Sequence, residues 1–172
     1  MRRILLFGIS ILIININLFS TTLEEIYNTS SPGLGYDKLL ILEKGVVYTG
    51  GMYIYNENVG IRGNGAIIDL QGGYITVNGV SKFEMDGCII TNGSYALAIQ
   101  GEADVLIKNS TFYGNDIAIN YMSTFGIIEV YNTIISHSSQ YGFVMHEESH
   151  SILHHNDVYA NLQGDYMKWC PS

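Results

Sequence analysis

The sequence predicts an all-β solenoid, with parallel strands wound right-handed into about five to six coils of about 23 residues each. Three observations predict it. The first is a column of anchors, Gly63, Gly87, Asn109, Asn132 and Asn156, spaced by 24, 22, 23 and 24 residues. The second is the apolar pair four and two positions before each anchor: Val59 and Ile61, Phe83 and Met85, Val105 and Ile107, Ile128 and Val130, with Ile152 and His154 in the last unit. The third is composition. Nineteen Gly and 13 Tyr with only 14 % charged residues suit short strands joined by tight turns. Parallel strands joined by crossovers wind right-handed.

The chain opens Met-Arg-Arg, then runs apolar from Ile4 to Ile14, then turns polar toward Ser20-Thr21-Thr22. A basic start, a short apolar stretch and small residues after it are the pattern of a secretory signal peptide, assigned to residues 1–21. The apolar stretch is shorter than the ~20 residues that span a bilayer, so no membrane span is expected after cleavage. The expected location is secreted or cell-surface.

Residues 22–38 are expected to cap the first coil, with one short helical turn. Residues 39–162 carry the coils. Their first strands are predicted at 59–62, 83–86, 105–108, 127–131 and 151–155, each running up to its anchor. A second alternating stretch follows each anchor, with inward pairs Met52 and Ile54, Ile75 and Val77, Leu97 and Ile99, Ile117 and Ile119, Phe143 and Met145. The stretch His137-Ser138-Ser139-Gln140 reads as an insertion that lengthens the last step. Residues 163–172 read as a truncated C-terminal segment of a longer protein. Stacked anchors predict a ladder of Asn109, Asn132 and Asn156 amides at a left-handed corner that Gly63 and Gly87 also occupy. Cys88 and Cys170 lie more than three coils apart, roughly 15 Å at ~4.8 Å per strand, too far for a disulfide.

Two stretches then carry a family resemblance. Asn58-Val59-Gly60-Ile61-Arg62-Gly63-Asn64-Gly65-Ala66-Ile67-Ile68-Asp69 resembles an early coil of the pectin-lyase-like superfamily of right-handed parallel β-helix proteins. Asn109-Ser110-Thr111-Phe112-Tyr113-Gly114-Asn115 and Asn156-Asp157-Val158-Tyr159-Ala160-Asn161 resemble its repeating rung. The resemblance spans residues 39 to 166 and rests on a packing motif. It implies the fold, and it leaves activity open, since members include polysaccharide lyases, polygalacturonases, epimerases and surface proteins.

Charge excludes one class of partner. A net charge of -8 with no basic run beyond Arg2 and Arg3 lacks the footprint that nucleic acid requires. For catalysis the sequence offers a column of outward residues just before the anchors: Arg62, Asp86, Lys108, Tyr131 and His155. One step earlier stand Gly60, Glu84, Leu106, Glu129 and Leu153. The lyases that the chain resembles work on such a face with acids that hold calcium and a basic residue that takes a proton from the sugar. Asp86, Lys108 and Arg62 are the candidates for those roles, and calcium would be the cofactor of a lyase. The plainer reading of the three is cross-strand ion pairing. The Asp-Asp and Gly-His-Gly pairs of polygalacturonase-like hydrolases do not occur.

His146-Glu147-Glu148-Ser149-His150 matches the zinc-protease motif letter for letter. That chemistry needs both histidines on one face of a helix. Here the motif sits between alternating strands, so it reads as coincidental and no metal site is assigned. A looser site among His146, His150, His154 and His155 has no spacing to single it out. Aromatic side chains offer a binding face instead. Tyr53 and Tyr55 are expected to face out, with Tyr113, Tyr121 and Tyr131 as further candidates. Asn78, Gln100 and Asn120 are expected in one outward column beside them. The expectation is a β-helix module associated with polysaccharide, with a lyase or epimerase and a structural or adhesive stalk as the other readings.

Overall fold

The computed structural model describes residues 21–123, 125–145, 150–168 and 170. The signal-peptide reading of the N-terminus lies outside the described residues. The described residues form one helix, α1 (Leu23–Thr29), and then only strands: β1 (Lys38–Ile41), β2 (Val47–Thr49), β3 (Met52–Tyr55), β4 (Asn58–Asp69), β5 (Tyr74–Asn78), β6 (Lys82–Thr91), β7 (Tyr95–Ile99), β8 (Asp104–Lys108), β9 (Thr111–Tyr113), β10 (Ile117–Tyr121), β11 (Ile127–Tyr131), β12 (Ile134–Ser136), β13 (Tyr141–Met145), β14 (His150–His154), β15 (Asp157–Tyr159) and β16 (Gly164–Lys168). Every strand pairing is parallel. The result is a right-handed β-helix of about five turns. No described helix is long and apolar enough to cross a membrane.

Each full coil has three sides rather than two. The first face stacks β1, the start of β4, the start of β6, β8, β11 and β14. The second stacks β2, the end of β4, the end of β6, β9, β12 and β15. The third stacks β3, β5, β7, β10, β13 and β16. The second face escapes a reading based on alternation because most of its strands are three residues long. Each of those short strands contributes one inward hydrophobic side chain: Tyr48, Phe112, Ile135 and Val158.

The predicted first face stands in register: Val59, Phe83, Val105 and Ile128 share one column. With Ile61, Met85, Ile107 and Val130 they line the core between the faces. Each such buried side chain contributes roughly 1.5–3 kcal/mol. Strand β16 continues the third face below β13, so the stacking runs on past residue 162.

Three expectations about register are corrected. In the last coil Tyr131 pairs with His154, not His155. The pattern has slipped by one residue, so Leu153 packs against the core while Ile152 stands 51 % exposed. On the third face the inward pair of the fourth coil is Ile119 and Tyr121, which lie below Leu97 and Ile99. The column Met52, Ile75, Leu97, Ile119 and Phe143 then steps by 23, 22, 22 and 24 residues. Tyr121 is 1 % exposed and donates to the carbonyl of Gly126 at 2.7 Å, so it belongs to the core. The stretch 137–140 is no insertion. Ser139 and Gln140 hydrogen-bond through their backbone to Asn115 and Asp116 of the coil above.

The corners follow from left-handed residues. Between the first and second faces these are Gly87, Asn109, Asn132 and His155, with φ of 73°, 52°, 51° and 55°. In the coil of β4, Asn64 and Gly65 take this role, and three residues, 63 to 65, stand against Gly87 alone. Gly63 is therefore not the left-handed residue expected. It is glycine because a Cβ there would lie 2.4 Å from Cys88 Sγ and 2.5 Å from the Gly87 carbonyl oxygen. The amide ladder runs Asp86 to Asn109 to Asn132, at 2.8 and 3.4 Å. Asn156 is not on it. One residue past the corner, it accepts from Thr133 N at 3.0 Å and donates to the Val130 carbonyl at 2.7 Å. Buried Asn115 and Asn161 do the same at the next corner. Asn115 accepts from Gly93 N at 2.8 Å and donates to Ile90 O at 3.2 Å. Asn161 accepts from Ser138 N at 2.9 Å.

At the N-terminal end, α1 lies over the core. Thr22 and Glu25 form a reciprocal cap, each side chain accepting from the other's backbone N–H at 3.1 Å. Leu23 is fully buried, and Ile26 and Tyr27 pack beside it.

Candidate functional site

The three candidate catalytic residues share one column, because β4, β6 and β8 pair Arg62 with Asp86 and Asp86 with Lys108. Their charges do not meet as a simple ladder. Glu84, two residues before Asp86 on the same outward side, is the hub. Its Oε1 lies 3.1 Å from Arg62 Nη1 and 2.8 Å from Lys108 Nζ. Lys108 also reaches Asp86 at 3.6 Å. Tyr36, from the segment before β1, donates its hydroxyl to the other oxygen of Glu84. The Tyr36 ring lies over Gly60, where a Cβ would come within 2.8 Å of it, and Arg62 sits 5.5 Å from the ring centre. Glycine in the outward column is thus the seat of an aromatic ring.

This cluster tunes its members. Partial burial pushes the Glu84 carboxyl up, but Lys108, Tyr36 and Arg62 together outweigh it and hold the group below the usual carboxylate range. Glu84 raises the Lys108 ammonium above its usual value, against a smaller opposing effect of burial. Burial and then Glu84 raise the Tyr36 phenol. Glu84, Lys108 and Tyr36 are therefore each held in the protonation state that pairs them.

The third face carries a different surface. Its outward columns are Tyr74, Tyr95 and Ile117 on one side and Tyr55, Asn78 and Gln100 on the other. Between them Thr76, Ala98 and Asn120 form a low floor. Two depressions of about 400 Å³ and about 280 Å³ share Tyr95, Asn120 and Met122, so they form one groove along the solenoid axis. Asn78 donates to Tyr53 Oη at 3.2 Å and to Gln100 Oε1 at 3.3 Å. Tyr53 and Tyr55 face out as expected, with rings parallel to within 9° and centroids 6.3 Å apart. Tyr113 is exposed and Tyr131 half-buried. Asn120 does not share the Asn78–Gln100 column, since it pairs with Ala98. Among the described residues no Asp, Glu, Lys, Arg or His lines the groove.

Tyr95 escaped the sequence reading for a local reason. Strict alternation from Leu97 and Ile99 turns it inward. The register shifts between Tyr74 and Ile75, and Ala96 takes the extra place, fully buried. Tyr95 is thereby turned out beside Tyr74.

Of the zinc-protease motif, residues 146–149 lie outside the described residues, and His150 begins strand β14. Among the described residues no three His, Cys, Asp or Glu side chains converge in a way that would hold a metal ion. Cys88 and Cys170 are unpaired thiols. Comparison with curated proteins and with solved structures yields no match. The family described as right handed beta helix region does match, over residues 43–169, which is most of the chain and all but the first strand of the solenoid. This chain belongs to the right-handed β-helix family.

Proposed function

We propose that this chain is an exported glycan-binding β-helix module whose binding surface is the tyrosine groove of the third face. The observation that carries the reading is the groove's make-up. Exposed Tyr53, Tyr74 and Tyr95 offer rings with polar tips, and Asn78 and Gln100 offer amides at fixed spacing. Apolar walls with a few placed polar groups are what a small polar ligand needs. Aromatic faces suit the C–H faces of sugar rings, and amides suit their hydroxyls. A groove without charge on a chain of net charge -8 favours a neutral glycan over a polyuronate.

The lyase reading draws less support from the ionic cluster. A proton-abstracting base must be able to lose its own proton near neutral pH. Glu84 holds Lys108 as a cation, and Arg62 is tied to the same carboxylate.

The test is retention on immobilised neutral polysaccharides, such as xylan, mannan and β-glucan, beside pectate and alginate. The expected result is retention by at least one neutral polymer, weakened about tenfold in Tyr74→Ala or Tyr95→Ala, near 1.4 kcal/mol per ring. Lys108→Ala is expected to bind normally. Retention by no neutral polymer, or full retention of both tyrosine variants, overturns the proposal.

A further inference from the structure

We propose that His154 and His155 form a binding site for a divalent transition-metal ion, with copper(II) and zinc(II) as the chemical class. The two residues sit at the first corner of the last coil. His154 ends β14 in the outward column, and His155 takes the left-handed position that Gly87, Asn109 and Asn132 hold in the coils above. This corner turns the two rings toward each other, and their Nδ1 atoms lie 3.1 Å apart. Two imidazole nitrogens on one tetrahedral zinc, with bonds of 2.0–2.1 Å, are separated by about 3.3 Å. The pair is thus close to chelating distance without any backbone movement.

A second contact selects the donor atom. Nε2 of His154 lies 3.5 Å from Oε1 of Glu129, one strand above. A carboxylate on one ring nitrogen draws the proton there and leaves the lone pair on the other. The lone pair of His154 then sits on Nδ1, facing His155. The Tyr131 ring stacks on His154 at 5.0 Å and 18°, which restrains the imidazole. Imidazole donors suit zinc, copper and nickel rather than calcium or magnesium. No third ligating side chain joins the pair among the described residues, so water completes the shell, as in open metal sites. Copper(II) is expected to bind tightest of the divalent series. The sequence could not single these two out, because in an ideal strand neighbouring side chains point to opposite faces. The left-handed turn at His155 removes that opposition.

The experiment uses the full chain without an affinity tag, titrated with copper(II) and zinc(II) by calorimetry, with electron paramagnetic resonance of the copper form. One ion per chain is expected, with hyperfine coupling from two imidazole nitrogens. His155→Asn, the residue that two other coils carry at this corner, should fold normally and abolish binding. Glu129→Gln should weaken it about tenfold. His150→Ala should leave it unchanged. Absence of stoichiometric binding, binding undiminished in His155→Asn, or binding lost in His150→Ala would each overturn the proposal, the last by assigning the ion to the His146–His150 motif.

Discussion

Lys108 Nζ lies 2.8 Å from Glu84 Oε1, although its register partner on the neighbouring strand is Asp86, which it reaches only at 3.6 Å. Glu84 also meets Arg62 and Tyr36, so one carboxylate is shared by two cations from two coils. It joins three successive strands of the first face with the segment before β1.

Replacing Glu84 by Gln should lower stability by about 1–3 kcal/mol, since two cations lose their shared partner. The pH dependence has a definite sign. The Glu84 carboxyl is held below its usual value, so its contribution is present above the ordinary carboxylate range and is lost as pH falls beneath it. Lys108 and Tyr36 are raised, so theirs is present below their ordinary values and is lost as pH climbs past them. Urea midpoints across pH should show the acid limb less steep in Glu84→Gln. An unchanged acid limb would refute the assignment.

Gly60→Ala should destabilise the protein although the position faces outward. The new methyl would meet the Tyr36 ring at 2.8 Å and push it off Glu84. A cost of about 1–3 kcal/mol is expected, as for overpacking. In the background of Tyr36→Ala the same substitution should cost much less. Equal costs in both backgrounds, measured by thermal melting, would separate Gly60 from Tyr36.

Asn115 and Asn132 should respond in opposite ways. Asn115→Ala leaves Gly93 N–H and Ile90 C=O without their buried partner, at about 1–3 kcal/mol for each group. Asn132→Gly loses one exposed 3.4 Å amide contact at a φ of 51° that glycine adopts freely, so little change is expected. Equal loss in the two variants, by chemical denaturation, would contradict this division.

The two thiols should differ in reactivity. Burial, with help from Asp86, pushes the Cys88 thiol up to about 12. Cys170 is also raised by burial but stays partly accessible. Iodoacetamide followed by peptide mass analysis should label Cys170 first, and Cys88 only on unfolding. Early labelling of Cys88 would mean that the coil of β6 opens locally.

Much of the fold was legible because the anchors and their apolar partners record a stacking rule at one residue per level. Val59, Phe83, Val105 and Ile128 fell into one column with no structural input. The last coil was misread by one place because Ile152 and Leu153 are both apolar, and composition does not choose between them. Glu84 was visible as an outward acid, but its role was not, since Tyr36 comes from a segment 48 residues earlier.

By itself the sequence determined the period, the parallel stacking, the first face and the left-handed corner at Asn109 and Asn132. These rest on local preferences: alternation buries one side of a strand, and only a few residue types accept a positive φ. Tertiary structure alone decided the second face, the outward turn of Tyr95, the four-way meeting at Glu84 and the facing nitrogens of His154 and His155. Those depend on how one coil sits on the next. A single extra residue such as Ala96 reverses a side chain without disturbing the repeat, and contacts between coils join residues whose spacing carries no local signal.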